Sequence, residues 1–295
     1  TVLRGGRTVA ASVRVADTDA GELASLMVGS SPMTTERPPA HPAGPPLLEV
    51  SGLSALGDRG LPALQSVDLT VRSGEIVGIA GVAGNGQREL CQVVAGLRSA
   101  TAGTVHLAGD DLTGASPRKL FQAGLGYIPE DRLGVGLAPR LSVVDNSILR
   151  TYEAHRRGPF IVAERAEAHC VDLVERFGVR TGPLDDPMAG LSGGNLQRLL
   201  VGRELSGRPR VVVAAQPTRG LDVQGVKAIQ DLLVEARDEG AAVLLVSEDL
   251  DELLTLADRL VVMHDGEIVG EFDPTTAARS EIGEAMIGHG AGVGS

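Results

Sequence analysis

The stretch from Glu75 to Ala95 narrows the possible folds more than any other. Ile76-Val77-Gly78-Ile79-Ala80 is an uninterrupted apolar run of strand length, the loop Gly81-Val82-Ala83-Gly84-Asn85-Gly86 follows, and a helical segment runs from Gln87 to Ala95. A strand without polar alternation is buried on both faces, which requires helices to cover the sheet. The same grammar returns downstream. Apolar runs at 211–214, 242–246 and 260–263 alternate with helical patterns at 223–237 and 249–257. The expected fold class is therefore α/β, with a parallel core sheet. Ahead of it, Leu47-Leu48-Glu49-Val50 and residues 65–72 alternate with period two, as a half-buried antiparallel edge subdomain would. Helical patterns at 117–122, 143–153 and 163–177 form an insertion in the middle of the chain.

At 295 residues and 43% apolar content the chain can bury a large core. It contains no run of 18 uncharged apolar residues and begins with nothing like a secretory signal, so membrane association is expected to go through a partner. A net charge of -11, with fifteen acids against three arginines between 231 and 284, argues against nucleic acid as a ligand. Cys91 and Cys170 both lie in apolar-periodic stretches and read as core thiols. His106, His155, His169, His264 and His289 have no carboxylate at motif spacing and read as isolated surface or strand-edge residues.

Two glycine-rich stretches carry the chemistry. Gly81 to Gly86, between an apolar strand and a helix, has the placement and spacing of a phosphate-binding loop. Leu191-Ser192-Gly193-Gly194-Asn195-Leu196-Gln197-Arg198 starts a second helix, with Ser192 as expected N-cap and two glycines that let a ligand approach the backbone. Unpaired N–H groups and the positive end of the helix dipole there favour a phosphate. A strand at Val211-Val212-Val213 and then Ala214-Ala215-Gln216-Pro217-Thr218-Arg219-Gly220-Leu221-Asp222 complete the series. This order resembles the signature helix, Walker B strand and D-loop of an ATP-binding cassette (ABC) ATPase. More narrowly, residues 47–288 resemble the second cassette of the tandem-cassette subunits that drive bacterial simple-sugar and nucleoside importers.

The resemblance implies ATP and Mg²⁺ as cofactors and also exposes what is missing. A hydrolytic P-loop carries Lys and then Ser or Thr after its last glycine, and here those positions are Gln87 and Arg88. Gly81, Gly84 and Gly86 keep the backbone cradle, and Arg88 restores part of the charge without being able to coordinate Mg²⁺. Ala215 stands where the family has its Mg²⁺ carboxylate and Gln216 where it has the glutamate that activates water. The switch histidine is Glu248, and the Q-loop glutamine is Glu130. No aromatic precedes Phe121, so nothing in the first strand can stack on adenine. No catalytic position is intact, and no metal site is expected.

The resemblance then implies a division of labour. Cassettes of this family pair head to tail, so Leu191, Ser192, Gly193, Gly194 and Gln197 would complete the ATP site of a preceding cassette, which would hold most of the Mg²⁺. Asp222 would assist from the D-loop. The first residues point the same way. Residues 2–10 match 262–270, and Glu22 to Gly29 match Glu281 to Gly288, at offsets of 260 and 259. With Thr rather than Met at position 1, residues 1–29 read as the tail of an earlier cassette, 30–46 as a proline-rich linker, and 289–295 as a short tail. Expected partners are that cassette, membrane permease subunits met through residues 130–149 and, indirectly, a solute-binding protein, at the cytoplasmic face of the plasma membrane. Two alternatives stay open: an independently active ATPase using Glu248 as base, and a regulatory ABC protein without a permease.

Overall fold

Strand burial follows directly from apolar continuity. The computed structural model describes residues 2–4, 7–10, 37–39 and 41–288, the first two segments through their backbone alone. Strands β5 (Ile76–Ala80), β11 (Val211–Ala215) and β12 (Ala242–Val246) are buried at every position. They form a six-stranded sheet with β8 (Leu125–Ile128), β13 (Arg259–His264) and β14 (Glu267–Phe272) in the order β14-β13-β5-β12-β11-β8. All neighbours are parallel except β14, which closes one edge as the antiparallel arm of a hairpin. Along β11, Val211, Val213 and Ala215 join one apolar cluster, while Val212 and Ala214 join another on the opposite face. Period-two alternation thus divides one apolar run between two cores.

One core lies beneath a four-stranded antiparallel sheet, in the order β4-β3-β6-β7. It comprises β3 (Pro46–Leu56), β4 (Pro62–Arg72), β6 (Ala102–Leu107) and β7 (Asp110–Asp111), with helices α1 (Gln87–Val94) and α2 (Pro117–Gln122). The other is filled by α4 (Ala163–Arg176), α5 (Gly193–Ser206), α6 (Val223–Asp238), α7 (Leu250–Leu256) and α8 (Arg279–Met286). The α/β class, the parallel sheet, the antiparallel edge and the helical insertion are all present.

Three details depart from the sequence reading. The expected helix at 143–153 stops early: α3 is Val143–Ile148, opened by a capping box of Ser142 and Asp145, and a separate 3₁₀ turn covers Tyr152–His155. A short hairpin of β9 (Arg156–Arg157) and β10 (Phe160–Ile161), which no sequence signal announced, follows that turn. The last part of the expected linker lies on the core. Arg37 donates to the carbonyls of Leu254 and Ala257 at the end of α7, at 2.9 and 2.7 Å, and the buried Arg237 donates to the Pro39 carbonyl.

The first segment forms a hairpin of β1 (Val2–Arg4) and β2 (Arg7–Ala10), while the matching helix expected at 22–29 lies outside the described residues. In this hairpin Val2 pairs with Ala10, Leu3 with Thr8 and Arg4 with Arg7, with the register shift between Val2 and Leu3. In the β13–β14 hairpin, 260 residues on, Val262 pairs with Gly270, Met263 with Ile268 and His264 with Glu267. The shift there falls between Val262 and Met263, the equivalent place.

A buried charge cluster on α5 ties the insertion to the core sheet. The Glu204 carboxylate accepts from Arg203, from Arg150 and, at 3.1 Å, from the Tyr127 amide of β8. Arg203 reaches on to the carbonyls of Gly136 and Asn146. One carboxylate therefore fixes the end of β8 to α5 and, through Arg203, to the segment that follows.

Candidate functional site

The C-terminal ends of β5, β8, β11 and β12 open onto one cleft of about 870 Å³. Gly81, Gly84, Gln87, Arg88, Glu130, Ala215, Gln216 and Glu248, all singled out from sequence, line it together. Gly86 lies just behind. At φ 99° it is the N-cap of α1, and a side chain there would strike the Ala63 carbonyl and Leu64. Asn85 braces the loop from the other side: its Oδ1 accepts from the Asp265 amide at 3.1 Å and its carbonyl from the Gly266 amide at 3.2 Å, in the turn between β13 and β14.

The cradle is occupied by its own chain. Gln87, only 7% exposed, folds its amide back beside Gly81, where Nε2 donates to the Val82 carbonyl at 3.3 Å. A lysine ammonium would reach outward to a phosphate, whereas this amide turns inward. Arg88 contributes little to the interior. It stands at the rim, 3.7 Å from Asp58, whose carboxylate is held below the usual range by Arg98 first and Arg88 second. Cys91 lines the cleft wall, and burial pushes its thiol up to about 12, so it stays protonated at neutral pH.

The opposite wall is joined by bonds between substituted positions. Gln216 takes a left-handed conformation at φ 51°, donates its amide to the Val246 carbonyl at 2.8 Å, and accepts from the Glu248 amide through Oε1 at 3.2 Å. Ala215 presents only a buried methyl group. Glu130 pairs with Arg219, a residue the sequence reading passed over because 89 positions separate the two. Arg132, also missed, donates to the Arg219 carbonyl and, at 3.5 Å, to that of Gly193. A magnesium triphosphate does not fit these residues. No lysine or hydroxyl follows the loop, no carboxylate ends β11, and the cleft adds two further carboxylates, Glu248 and the Arg219-paired Glu130. Among the described residues no group of His, Cys, Asp and Glu can hold a metal ion.

The Ser192 stretch is outside this cleft. Ser192 is exposed and is the N-cap residue of α5, as expected, but its hydroxyl makes no cap bond. It accepts from Asn195 Nδ2 at 2.9 Å, while Asn195 Oδ1 accepts from the Arg180 amide at 2.8 Å. The first returning bond of the helix runs from the Leu196 amide to the Ser192 carbonyl, so the N–H groups of Gly193, Gly194 and Asn195 stay without intrahelical partners. Gln197 does not share this surface. It is 1% exposed and its amide atoms lack hydrogen-bond partners in the interior, while Leu191 packs against the helical core. Asp222 is exposed and caps α6, accepting from the Gly225 amide at 2.7 Å.

The histidine reading needs one correction. His155 and His169 face each other with ring centroids 4.8 Å apart, and burial, then His169, holds His155 below its ordinary range. No helix among the described residues is long and apolar enough to cross a membrane.

The comparisons agree with this architecture. A family model described as ABC transporter matches residues 64–219. The glucose import ATP-binding protein TsgD13 of Haloferax volcanii is 46% identical over 98% of this chain and 53% of its own length. The nucleoside import ATP-binding protein NupA of Lactococcus lactis is 39% identical over 98% and 57%, and the guanosine import ATP-binding protein NupO of Bacillus subtilis is 38% identical over the same shares. The chain thus spans about half the length of the curated relatives it matches. Among solved structures, a dimeric bacterial ABC transporter cassette superposes with a TM-score of 0.66 at 23% identity, covering 77% of this chain and 99% of that one. At that identity the likeness speaks for the fold alone. Fold and sequence together show that the chain belongs to the ATP-binding cassette family of ABC transporters.

Proposed function

We propose that this chain is the second, non-hydrolysing cassette of a tandem-cassette importer subunit for a simple sugar or a nucleoside. Ser192, Gly193 and Gly194 serve ATP, with its Mg²⁺, held by a preceding cassette of the same polypeptide; Leu191 and Gln197 support the helix from behind, and Asp222 acts across the same interface. The carrying observation is a contrast: an exposed helix start with unpaired N–H groups stands outside a cleft in which Gln87 and Arg88 occupy the places of the lysine and hydroxyl of a hydrolytic loop and no carboxylate ends β11. Losing a charge-assisted contact of about 1.5–3 kcal/mol weakens nucleotide binding in the chain's own cradle roughly ten- to a hundredfold.

Two further observations support the tandem reading. The β1–β2 hairpin repeats the pairing of β13–β14, including the place of its register shift, at an offset of 260 residues. Relatives named for glucose, nucleoside and guanosine import are about twice as long as this chain. On this reading residues 1–29 end the preceding cassette, 30–46 link the two, 47–288 form the second and 289–295 its tail. The whole couples ATP turnover to a permease through residues 130–149 and indirectly to a solute-binding protein, as a peripheral protein of the cytoplasmic face. In the full-length tandem protein, Ser192→Arg abolishes ATP turnover and Gln87→Ala leaves it nearly unchanged. Equal sensitivity to the two changes refutes the proposal, as does Mg²⁺-dependent hydrolysis by residues 47–295 alone.

A further inference from the structure

The β9–β10 hairpin is small but unusually composed. Arg157 pairs with Phe160 and Arg156 with Ile161, and Gly158-Pro159 closes the turn. Gly158 supplies the left-handed φ of 62° and Pro159 fixes its own φ, so the tip is held in one shape before anything binds. Phe160 is 75% exposed, more than any other large apolar side chain among the described residues, and Ile161 beside it is 46% exposed. The chain has four phenylalanines. Phe177 is buried, Phe272 packs on the helical core, and Phe121 lies under the Arg150 guanidinium, which leaves Phe160 alone in water.

The charges around it are equally one-sided. Arg156 and Arg157 are exposed, and neither meets a carboxylate among the described residues. No acid occurs from 155 to 163; upstream, Glu153 is engaged by Arg118, and downstream, the exposed Glu164 at the start of α4 forms no ion pair with either arginine. In a chain of net charge -11 this is an uncompensated basic tip. Residues opposite one another in an antiparallel pair share a face, so each face of the hairpin carries one apolar and one cationic side chain. An apolar groove on a protein would select the phenylalanine and leave two guanidiniums unpaired. A phosphate-bearing lipid surface uses both, taking the ring at the acyl boundary and the guanidiniums at the headgroups.

We propose that the β9–β10 hairpin is a contact with anionic phospholipid, in which Phe160 enters the interface and Arg156 and Arg157 bind headgroup phosphates. The membrane association that composition assigned to partners alone then has a direct component. The absence of tryptophan makes the test clean, since Phe160→Trp places a single reporter at the tip. Mixed with vesicles of phosphatidylcholine containing about 30% phosphatidylglycerol, its emission shifts to the blue; pure phosphatidylcholine leaves it unchanged, and about 0.5 M salt reverses the shift. Reversing both charges with Arg156→Glu and Arg157→Glu weakens binding about 25-fold or more. Co-sedimentation of the unsubstituted chain with the same vesicles gives a measure independent of the reporter. A shift that is equal on both vesicle types, absent on the anionic ones, or indifferent to charge reversal overturns the proposal. So does a tip that ignores vesicles but cross-links to a membrane protein, which assigns the hairpin to a protein partner instead.

Discussion

The Glu204 cluster gives the sharpest stability prediction, because the carboxylate is fully buried and serves three donors. Substituting Glu204→Gln keeps the shape and one acceptor but removes the charge facing Arg203, whose side chain is 6% exposed. Breaking a buried pair from one side costs about 3–5 kcal/mol, because the partner stays buried and uncompensated. The isostere retains some hydrogen bonding, which sets the expectation near the lower end, about 3 kcal/mol. For a domain of this size each kcal/mol moves the melting temperature by about 2–4 °C, so the variant melts about 6–12 °C lower by calorimetry. The Arg150 pair adds less, because that guanidinium keeps water contact. Adding Arg203→Met to Glu204→Gln recovers part of the loss, since the buried guanidinium that a neutral amide cannot balance is then gone, while the Gly136 and Asn146 carbonyls lose their donor. A single variant that melts within about 2 °C of the parent, or a double variant worse than either single one, refutes the reasoning.

Other expectations follow from the same geometry. The exposed Glu130–Arg219 pair couples by at most about 1 kcal/mol in a double-mutant cycle on the isolated chain, and a larger value there contradicts its exposure. Burial raises the Glu252 pKa above its ordinary 4.5, so the folded state holds this proton more tightly than the unfolded one. Stability therefore falls as pH rises above about 4.5 until the folded-state value is passed. Glu252→Gln flattens that slope and raises stability at pH 7, also giving a donor to Gln230 Oε1, which has no partner; a steeper slope in the variant contradicts this. Cys91, buried with a raised pKa, resists maleimide in the native protein and reacts fully in denaturant, and rapid native labelling would disprove its burial.

The sheet was legible, apart from the four-residue β8, because its signal is contiguous. Val211 to Ala215 and Ala242 to Val246 are apolar at every position and of strand length, the pattern of a strand covered on both faces. The cleft was legible as a set of positions, since Gly81, Glu130, Ala215, Gln216 and Glu248 stand at strand ends that the parallel topology brings to one edge. What those residues do to each other was hidden. The inward turn of Gln87 depends on a rotamer, and the Glu130–Arg219 pairing depends on two loops 89 residues apart. The Ser192 hydroxyl was expected to cap a backbone N–H, but Asn195, three residues on, donates to it first. The β9–β10 hairpin escaped notice because strands of two residues carry no periodicity.

The brace between Asn85 and the turn at Asp265 and Gly266 spans 180 positions, which sets an order of events during synthesis. At about 5–20 residues per second, the glycine loop waits roughly 9–36 s after leaving the ribosome before its last support exists. Until then β5 also lacks the neighbour that covers one of its edges. A nascent chain of this design carries a bare, wholly apolar strand margin while residues 81–258 are being made, and any slowing of translation over that stretch lengthens the time in which that margin can capture another chain.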